Sequence, residues 1–308
     1  MGFAGRCTSA RIWAQMTQQE MFGGFWTQQK LKLLSGYLKA HTKIFAANDK
    51  AKYFETTYLD AFAGTGEIPR RDLGLFSQNA ELLKAEEEFR KGSAKRALEV
   101  KPHFDHYVFI EKDAGKCQEL EALKGEFPER DITVINGDAN VELPKWCAGL
   151  GKRDRAVVFI DPFGAALDWS VIEAIAATKA ADLWILFPFE GINRMLPNER
   201  MPDGALAERL TRFFGTDQWK GFYSKWTLPS ILESVKLSEE VRKTANQETI
   251  ISFYWDRLAS IFAAVAEPGY LRSGNKLLFV LFFAAGNLRG GTTGLKIAND
   301  LIRGLSQF

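Results

Sequence analysis

Ala156-Val157-Val158-Phe159-Ile160, followed at once by Asp161-Pro162-Phe163-Gly164, is an unbroken apolar run that stops at an acid, a proline and a glycine. A strand that alternates apolar and polar residues turns one face to water. A strand that is apolar throughout has both faces covered, the situation in a parallel sheet flanked by helices. The same form recurs along the chain. Thr57-Tyr58-Leu59-Asp60-Ala61-Phe62 ends in Ala63-Gly64-Thr65-Gly66, and His106-Tyr107-Val108-Phe109-Ile110 ends in Glu111-Lys112-Asp113. Ile132-Thr133-Val134-Ile135 ends in Asn136-Gly137-Asp138, and Leu183-Trp184-Ile185-Leu186-Phe187 is a fifth run. Helical composition fills the intervals at Asn79 to Arg90, Cys117 to Gly125 and Ser170 to Ala177. Strands alternating with helices predict an α/β fold, a mostly parallel sheet with helices on both faces.

Around this centre the pattern is less regular. Residues 188–245 read as a helical insertion over the active-site edge, with helices at about Gly204 to Phe214 and Leu228 to Leu237. Its aromatics Trp219, Phe222, Tyr223 and Trp226 read either as local core or as base-stacking residues. A long helix is expected from Glu248 to Ala266, then a short strand near Tyr270 and an apolar strand from Lys276 to Ala285. Leu295, Ile297, Ala298, Leu301, Ile302 and Leu305 mark a final amphipathic helix. Upstream, Thr27 to Ala46 has helical spacing with Thr27 as N-cap. Lys30, Lys32, Lys39 and Lys43 then read as its solvated face, or as a basic approach surface for an anionic substrate. Met1 to Thr17 shows no periodicity, and Met16 reads as an alternative start. A single domain is expected over 26–308, with 1–25 as an N-terminal extension.

Composition sets limits. Among 308 residues, 40 basic and 38 acidic side chains give a net charge of +2, with 46% hydrophobic and 25% charged residues. That balance excludes dominant disorder and lacks the signature of a DNA-packaging protein, while leaving room for a local basic groove. The longest apolar run, Leu277 to Ala285, is about half of what a membrane-spanning helix needs. No apolar core separates Arg6 from Arg11, so no secretory leader is expected and the compartment reads as cytoplasmic. Cys7, Cys117 and Cys147 are too scattered for a metal set, and none is expected.

The chemistry should lie at the strand ends, because ligands of open parallel sheets sit beyond the carboxyl ends of the strands. Gly64 and Gly66 let the backbone turn sharply and approach a ligand closely. The full GxGxxG dinucleotide fingerprint is absent, since Pro69 falls where the third glycine should be. Glu111 can accept both hydroxyls of a ribose. Asp138 can accept an exocyclic amine such as that of adenine, or act as an Asx-type turn residue in its own loop. Asp161 and Pro162 offer a carboxylate and a carbonyl, with the Phe163 ring beside them. Glycines, ribose acceptor, adenine acceptor and catalytic acceptor, in that order, point to an adenosyl ligand. S-adenosylmethionine fits better than a nucleoside triphosphate, because no GxxxxGK[ST] phosphate loop is present.

Trp26-Thr27 with Lys30, Tyr58 to Gly66, Phe109 to Asp113, Asn136 to Asp138, Phe159 to Gly164, Ile192-Asn193-Arg194 and Phe214 to Trp219 resemble segments of the three-Cys-motif partner protein family (TcmP). The members of that family look like class I S-adenosylmethionine-dependent methyltransferases. The resemblance implies a Rossmann-like fold, a seven-stranded and mostly parallel sheet with a reversed last strand. It also implies a partner, a separate phage-type protein bearing a cluster of three cysteines. A looser likeness links Phe62 to Gly66 and Asp161-Pro162 to the FxGxG and [DNS]PP[YFW] motifs of amino-methyltransferases acting on nucleobases. Here Phe163 stands for the second proline and Gly164 for the stacking aromatic.

The expected activity is therefore N-methyl transfer from S-adenosylmethionine to a nucleobase or another amine. Asp161, Pro162 and Phe163 are the catalytic candidates. Asp60, Phe62, Gly64, Gly66, Glu111 and Asp138 are the cofactor candidates, with Asn193 and Arg194 at the substrate or partner rim. The alternative is a chain that keeps the adenosyl pocket as a non-catalytic partner. A nicotinamide oxidoreductase is disfavoured by the incomplete glycine fingerprint and the long interval before Glu111.

Overall fold

The computed structural model describes residues 18–63, 92–162, 164–227 and 239–305. Five parallel strands make its centre: β1 (Glu55–Asp60), β2 (His106–Glu111), β3 (Asp131–Asn136), β4 (Asp154–Ile160) and β5 (Ala181–Phe187). Their spatial order is β3-β2-β1-β4-β5. From β1 the chain winds outward to β2 and β3, then returns to the other side of β1 for β4 and β5. The strand order thus reverses between β1 and β4, whose register pairs Asp60 with Phe159. A crevice opens at such a reversal, beyond the carboxyl ends of the two strands.

Four of the five runs are buried on both sides, whereas β3 at the sheet edge buries only Ile132. Tyr58, Phe109, Val157, Phe159 and Trp184 face one core, closed by helix α1 (Gln18–Ala47) and the last helix of the chain. Leu59, Ile110, Val158, Ile160 and Ile185 face the other. Helix α2 (Ala114–Glu126) lies on the first side, with Leu120 in that core. Helices α3 (Ala139–Ala148) and α4 (Trp169–Thr178) lie on the second. Helices α2 and α3 begin where a strand-end loop supplies a side-chain cap, while Asp168 at the start of α4 makes no such bond. Asp113 accepts the Lys116 N–H at α2, and Asp138 accepts the Asn140 N–H at α3, contacts worth about 1 kcal/mol each.

Several expectations are corrected. Thr27 lies inside α1, a helix of 30 residues, rather than capping it. Lys32, Lys39 and Lys43 are exposed, but Lys30 is buried and is no part of a solvated face. It shares its face with Leu34, Tyr37, Leu38 and His41, all buried. His41 stacks against Phe45 at 4.7 Å and Phe104 at 5.5 Å, and burial pushes its pKa down to about 3, so it stays neutral.

The segment over 188–245 is not purely helical. Besides α5 (Phe189–Met195), α6 (Gly204–Phe214) and a 3-10 turn, Gln218–Phe222, it holds an antiparallel ribbon of β6 (Tyr223–Thr227) and β7 (Glu239–Lys243). Trp219, Phe222 and Tyr223 are buried, and the Trp219 indole donates to Thr211 Oγ1 at 2.9 Å. They are core, not stacking platforms. The helices expected at Asn79 to Arg90 and Leu228 to Leu237 lie outside the described residues, as does the Trp226 side chain.

Helix α7 (Gln247–Ala259) is capped by Asn246 and stops seven residues earlier than the Ala266 expected. The chain then forms β8 (Ala264–Val265), β9 (Gly269–Ser273) and β10 (Lys276–Ala285). β10 runs antiparallel to β5, and both β8 and β9 pair with its far edge. The sheet therefore has eight strands in seven positions, because Pro268, which cannot donate a ladder hydrogen bond, falls in the gap between β8 and β9. Helix α8 (Leu288–Leu305) closes the first core. No helix among the described residues is long and apolar enough to cross a membrane.

One half-buried carboxylate sits at the amino end of β5. Asp182 accepts from the Tyr37 hydroxyl at 2.9 Å and from the Gly286 N–H at 3.1 Å, tying α1 and the end of β10 to β5. Gly286 is required there, since a Cβ would overlap the Ala181 carbonyl. Burial raises the Asp182 pKa from 3.8 to about 6, against the two hydrogen bonds and the Arg155 charge, which lower it. A folded pKa above the unfolded one gives stability that is present at low pH and lost as pH rises through the folded value. The Asp182→Asn variant can donate to the Tyr37 oxygen and still accept from Gly286. Relative to this variant, the wild-type protein should lose about 2 kcal/mol of stability between pH 4 and pH 7, read from urea melts at each pH.

Candidate functional site

Three carboxylates end three adjacent strands on one side of the sheet. Asp60 closes β1, Glu111 closes β2 and Asp161 follows β4, and they are 1%, 3% and 2% exposed. Strand alternation explains their direction. Tyr58, Phe109 and Phe159 face the α1 side, so the residues two positions on face it too. Asp60 and Asp161 thereby flank the crevice where the strand order reverses.

Asp60 is fixed by its own loop. Its Oδ1 accepts the Phe62 N–H at 3.2 Å, and its Oδ2 accepts the Ser93 hydroxyl at 3.2 Å and the Tyr58 hydroxyl at 3.4 Å. Burial, with the Asp60 charge adding to it, holds the Tyr58 phenol well above its ordinary pKa. Glu111 Oε1 accepts the Asp113 N–H at 2.6 Å, which orients the carboxylate at the strand end. Asn136 donates to the Glu111 and Lys112 carbonyls at 3.0 Å, locking the ends of β2 and β3 together.

Asp138 takes the Asx-type capping role. Its Oδ1 accepts from Asn140 at 2.9 Å and its Oδ2 from Lys112 at 3.1 Å. Burial works to raise its pKa, but the Asn140 and Lys112 contacts more than offset this and hold it below the usual carboxylate value. Phe62 is half-buried against the second core. Gly64 and Gly66 lie outside the described residues.

Asp161 has a neighbour that sequence reasoning missed. Lys30 Nζ, from α1, lies 3.8 Å from Asp161 Oδ2, and both side chains are 2% exposed. The same ammonium sits over the Phe279 ring of β10, 4.0 Å from its centroid. The signal was in the spacing: Lys30, Leu34, Tyr37 and His41 recur at four, three and four residues, one face of a helix. Pro162 is buried beside Asp161, and Phe163 lies outside the described residues. Gly164 has a φ of +51°, a left-handed turn that favours glycine. The loop beyond is pinned by Asn140, which donates to the Ala166 carbonyl and accepts the Asp168 N–H, and by Arg209 on the Ala165 carbonyl.

Asn193 and Arg194 lie on α5, the helix that follows β5. Asn193 Oδ1 accepts from Lys243 at 2.6 Å, which ties the helix to the ribbon; burial lowers the Lys243 pKa. Arg194 pairs with Glu190 at 2.6 Å, and Lys276 pairs with the same carboxylate at 2.7 Å. No cluster of three or more metal-ligating side chains occurs among the described residues.

Removing one member of a buried ion pair leaves the other charge desolvated. Asp161→Ala should cost about 3 kcal/mol of unfolding free energy in urea. The double variant Asp161→Ala with Lys30→Met should recover part of that loss, because no charge then remains to be compensated.

No family model and no curated protein matches the chain. Among solved structures it is similar to protein LPL1258 from Legionella pneumophila, with 13% identity, 90% of this chain and 91% of that chain covered, and a TM-score of 0.46. It is also similar to the citrinin polyketide synthase CMeT domain, with 9% identity, 76% and 47% coverage and a TM-score of 0.33. For the 23S rRNA methyltransferase ErmE the figures are 10% identity, 62% and 63% coverage and a TM-score of 0.26. All three TM-scores lie below 0.5.

Proposed function

We propose that the chain binds S-adenosylmethionine in the crevice between β1 and β4 and transfers its methyl group to an amine. The observation that carries this reading is the row of buried carboxylates at the ends of β2, β1 and β4, beside the point where the strand order reverses. Glu111, already oriented by the Asp113 N–H, fits the two hydroxyls of a ribose. Asp138 keeps lone pairs on both oxygens for an adenine amine while capping α3. Asp60, held by Phe62 and Ser93, fixes the turn that leads into Gly64 and Gly66.

When bound, S-adenosylmethionine supplies an electrophilic methyl carbon on a sulfonium. The chain's own task is to align the attacking nitrogen, and such positioning can supply roughly 7–11 kcal/mol. Asp161 accepts an N–H of the attacking amine and offsets the positive charge that grows on nitrogen as the bond forms. The Pro162 carbonyl is a second acceptor in the same reading, and Phe163 lines the target pocket, with Asn193 and Arg194 at its rim. The methyl acceptor belongs to the amines, a nucleobase among them.

A second reading keeps the adenosyl pocket without turnover, as the partner of a separate three-cysteine-motif protein. The Lys30 ammonium beside Asp161 favours it, because an outside amine must share that carboxylate.

Titration calorimetry with S-adenosylmethionine and S-adenosylhomocysteine tests the site. Micromolar binding to the wild-type chain is expected, weakened about tenfold in Glu111→Ala, a loss of about 1.4 kcal/mol. No binding of either compound would sink the cofactor reading. Binding without methyl transfer to any amine offered, the three-cysteine protein present or absent, would leave the partner reading.

A further inference from the structure

Lys30 is more than a neighbour of the site. Its nitrogen approaches Asp161 Oδ2 to 3.8 Å with both side chains closed to water, and the Phe279 ring covers the ammonium at 4.0 Å. Carboxylate and aromatic face together make a receptor for an alkyl ammonium. An arginine in this place would fork both carboxylate oxygens and remain inert; a lysine presents one nitrogen that becomes a nucleophile once it loses a proton. An aromatic face also accepts a methylated ammonium, so methylation would not evict the side chain. Lys32 and Lys39 on the same helix are exposed.

We propose that Lys30 holds the target-amine position of the site and is itself methylated, a self-modification that rests on the methyltransferase reading above. One proton leaves Nζ for Asp161 and then water. The freed lone pair forms the N–C bond to the methyl carbon, and the C–S bond breaks with its electron pair remaining on sulfur. The products are Nε-methyl-lysine and S-adenosylhomocysteine. The modified residue keeps its positive charge but loses an N–H, so the Asp161 contact weakens while the Phe279 contact persists.

The test uses the full chain incubated with S-adenosylmethionine carrying a deuterated methyl group, followed by peptide mass mapping, with calorimetry run on the same sample. Label is expected on Lys30 and not on Lys32 or Lys39, falling about a hundredfold in Asp161→Asn, the size of a general-base contribution. Cofactor binding with Lys30 unlabelled, or with label spread equally over the exposed lysines, overturns the proposal and leaves the cofactor site standing. Absence of binding overturns the methyltransferase reading and the proposal with it.

A readout free of turnover examines the ammonium receptor alone. In Lys30→Ala, n-butylammonium should raise the melting temperature saturably, whereas butanol should not. Equal effects of the two would remove the pocket on which the proposal stands.

Discussion

A parallel sheet covered on both faces leaves water and ligands only its two ends. Strands β1, β2, β4 and β5 are buried from side to side, so polar groups collect where these strands stop. At the carboxyl ends they form a row of Asp60, Glu111 and Asp161. At the amino end of β5, Asp182 instead ties three elements together. The first set lines the candidate site and the second ties elements together. The difference follows from topology: only at the carboxyl ends does the reversed strand order open a crevice.

The first helix links these two sets. Tyr37 of α1 reaches Asp182, and Lys30, two turns earlier, reaches Asp161. A rigid helix thus fixes the ammonium at one end of the sheet through an anchor at the other. Its burial is broad, with Leu31, Leu33, Leu34 and Leu38 in the same core. Small shifts at Tyr37 are therefore carried along a stiff element toward the candidate site rather than absorbed locally.

Much of this was legible in the residues. The five apolar runs became the five parallel strands, and Gly204–Phe214 and the C-terminal amphipathic stretch became helices as expected. What failed did so for identifiable reasons. Lys30 reads from sequence as part of a solvated face or a basic approach surface, because its charge outweighs its place on an apolar helical face. The ribbon of β6 and β7 escaped because its strands are short and polar, with no apolar run to announce them. The end of α7 was overrun because Ser260 to Ala266 keeps helix-compatible residues while the backbone turns into β8. Asp138 read equally as ligand group or helix cap, and its capping contacts are made within two residues, a local choice that spacing alone does not decide.

The divided strand beside β10 has a protective consequence. Lys276–Ala285 is the most apolar run in the chain and ten residues long, and left bare it would be a template for pairing with another molecule. One flank is occupied by β5 and the other by β8 and β9. The outermost strands are short and interrupted at Glu267-Pro268, so they make a poor template themselves. The break that spoils a regular strand thereby keeps the sheet from growing, and peeling 264–273 away would turn a closed molecule into one prone to aggregate.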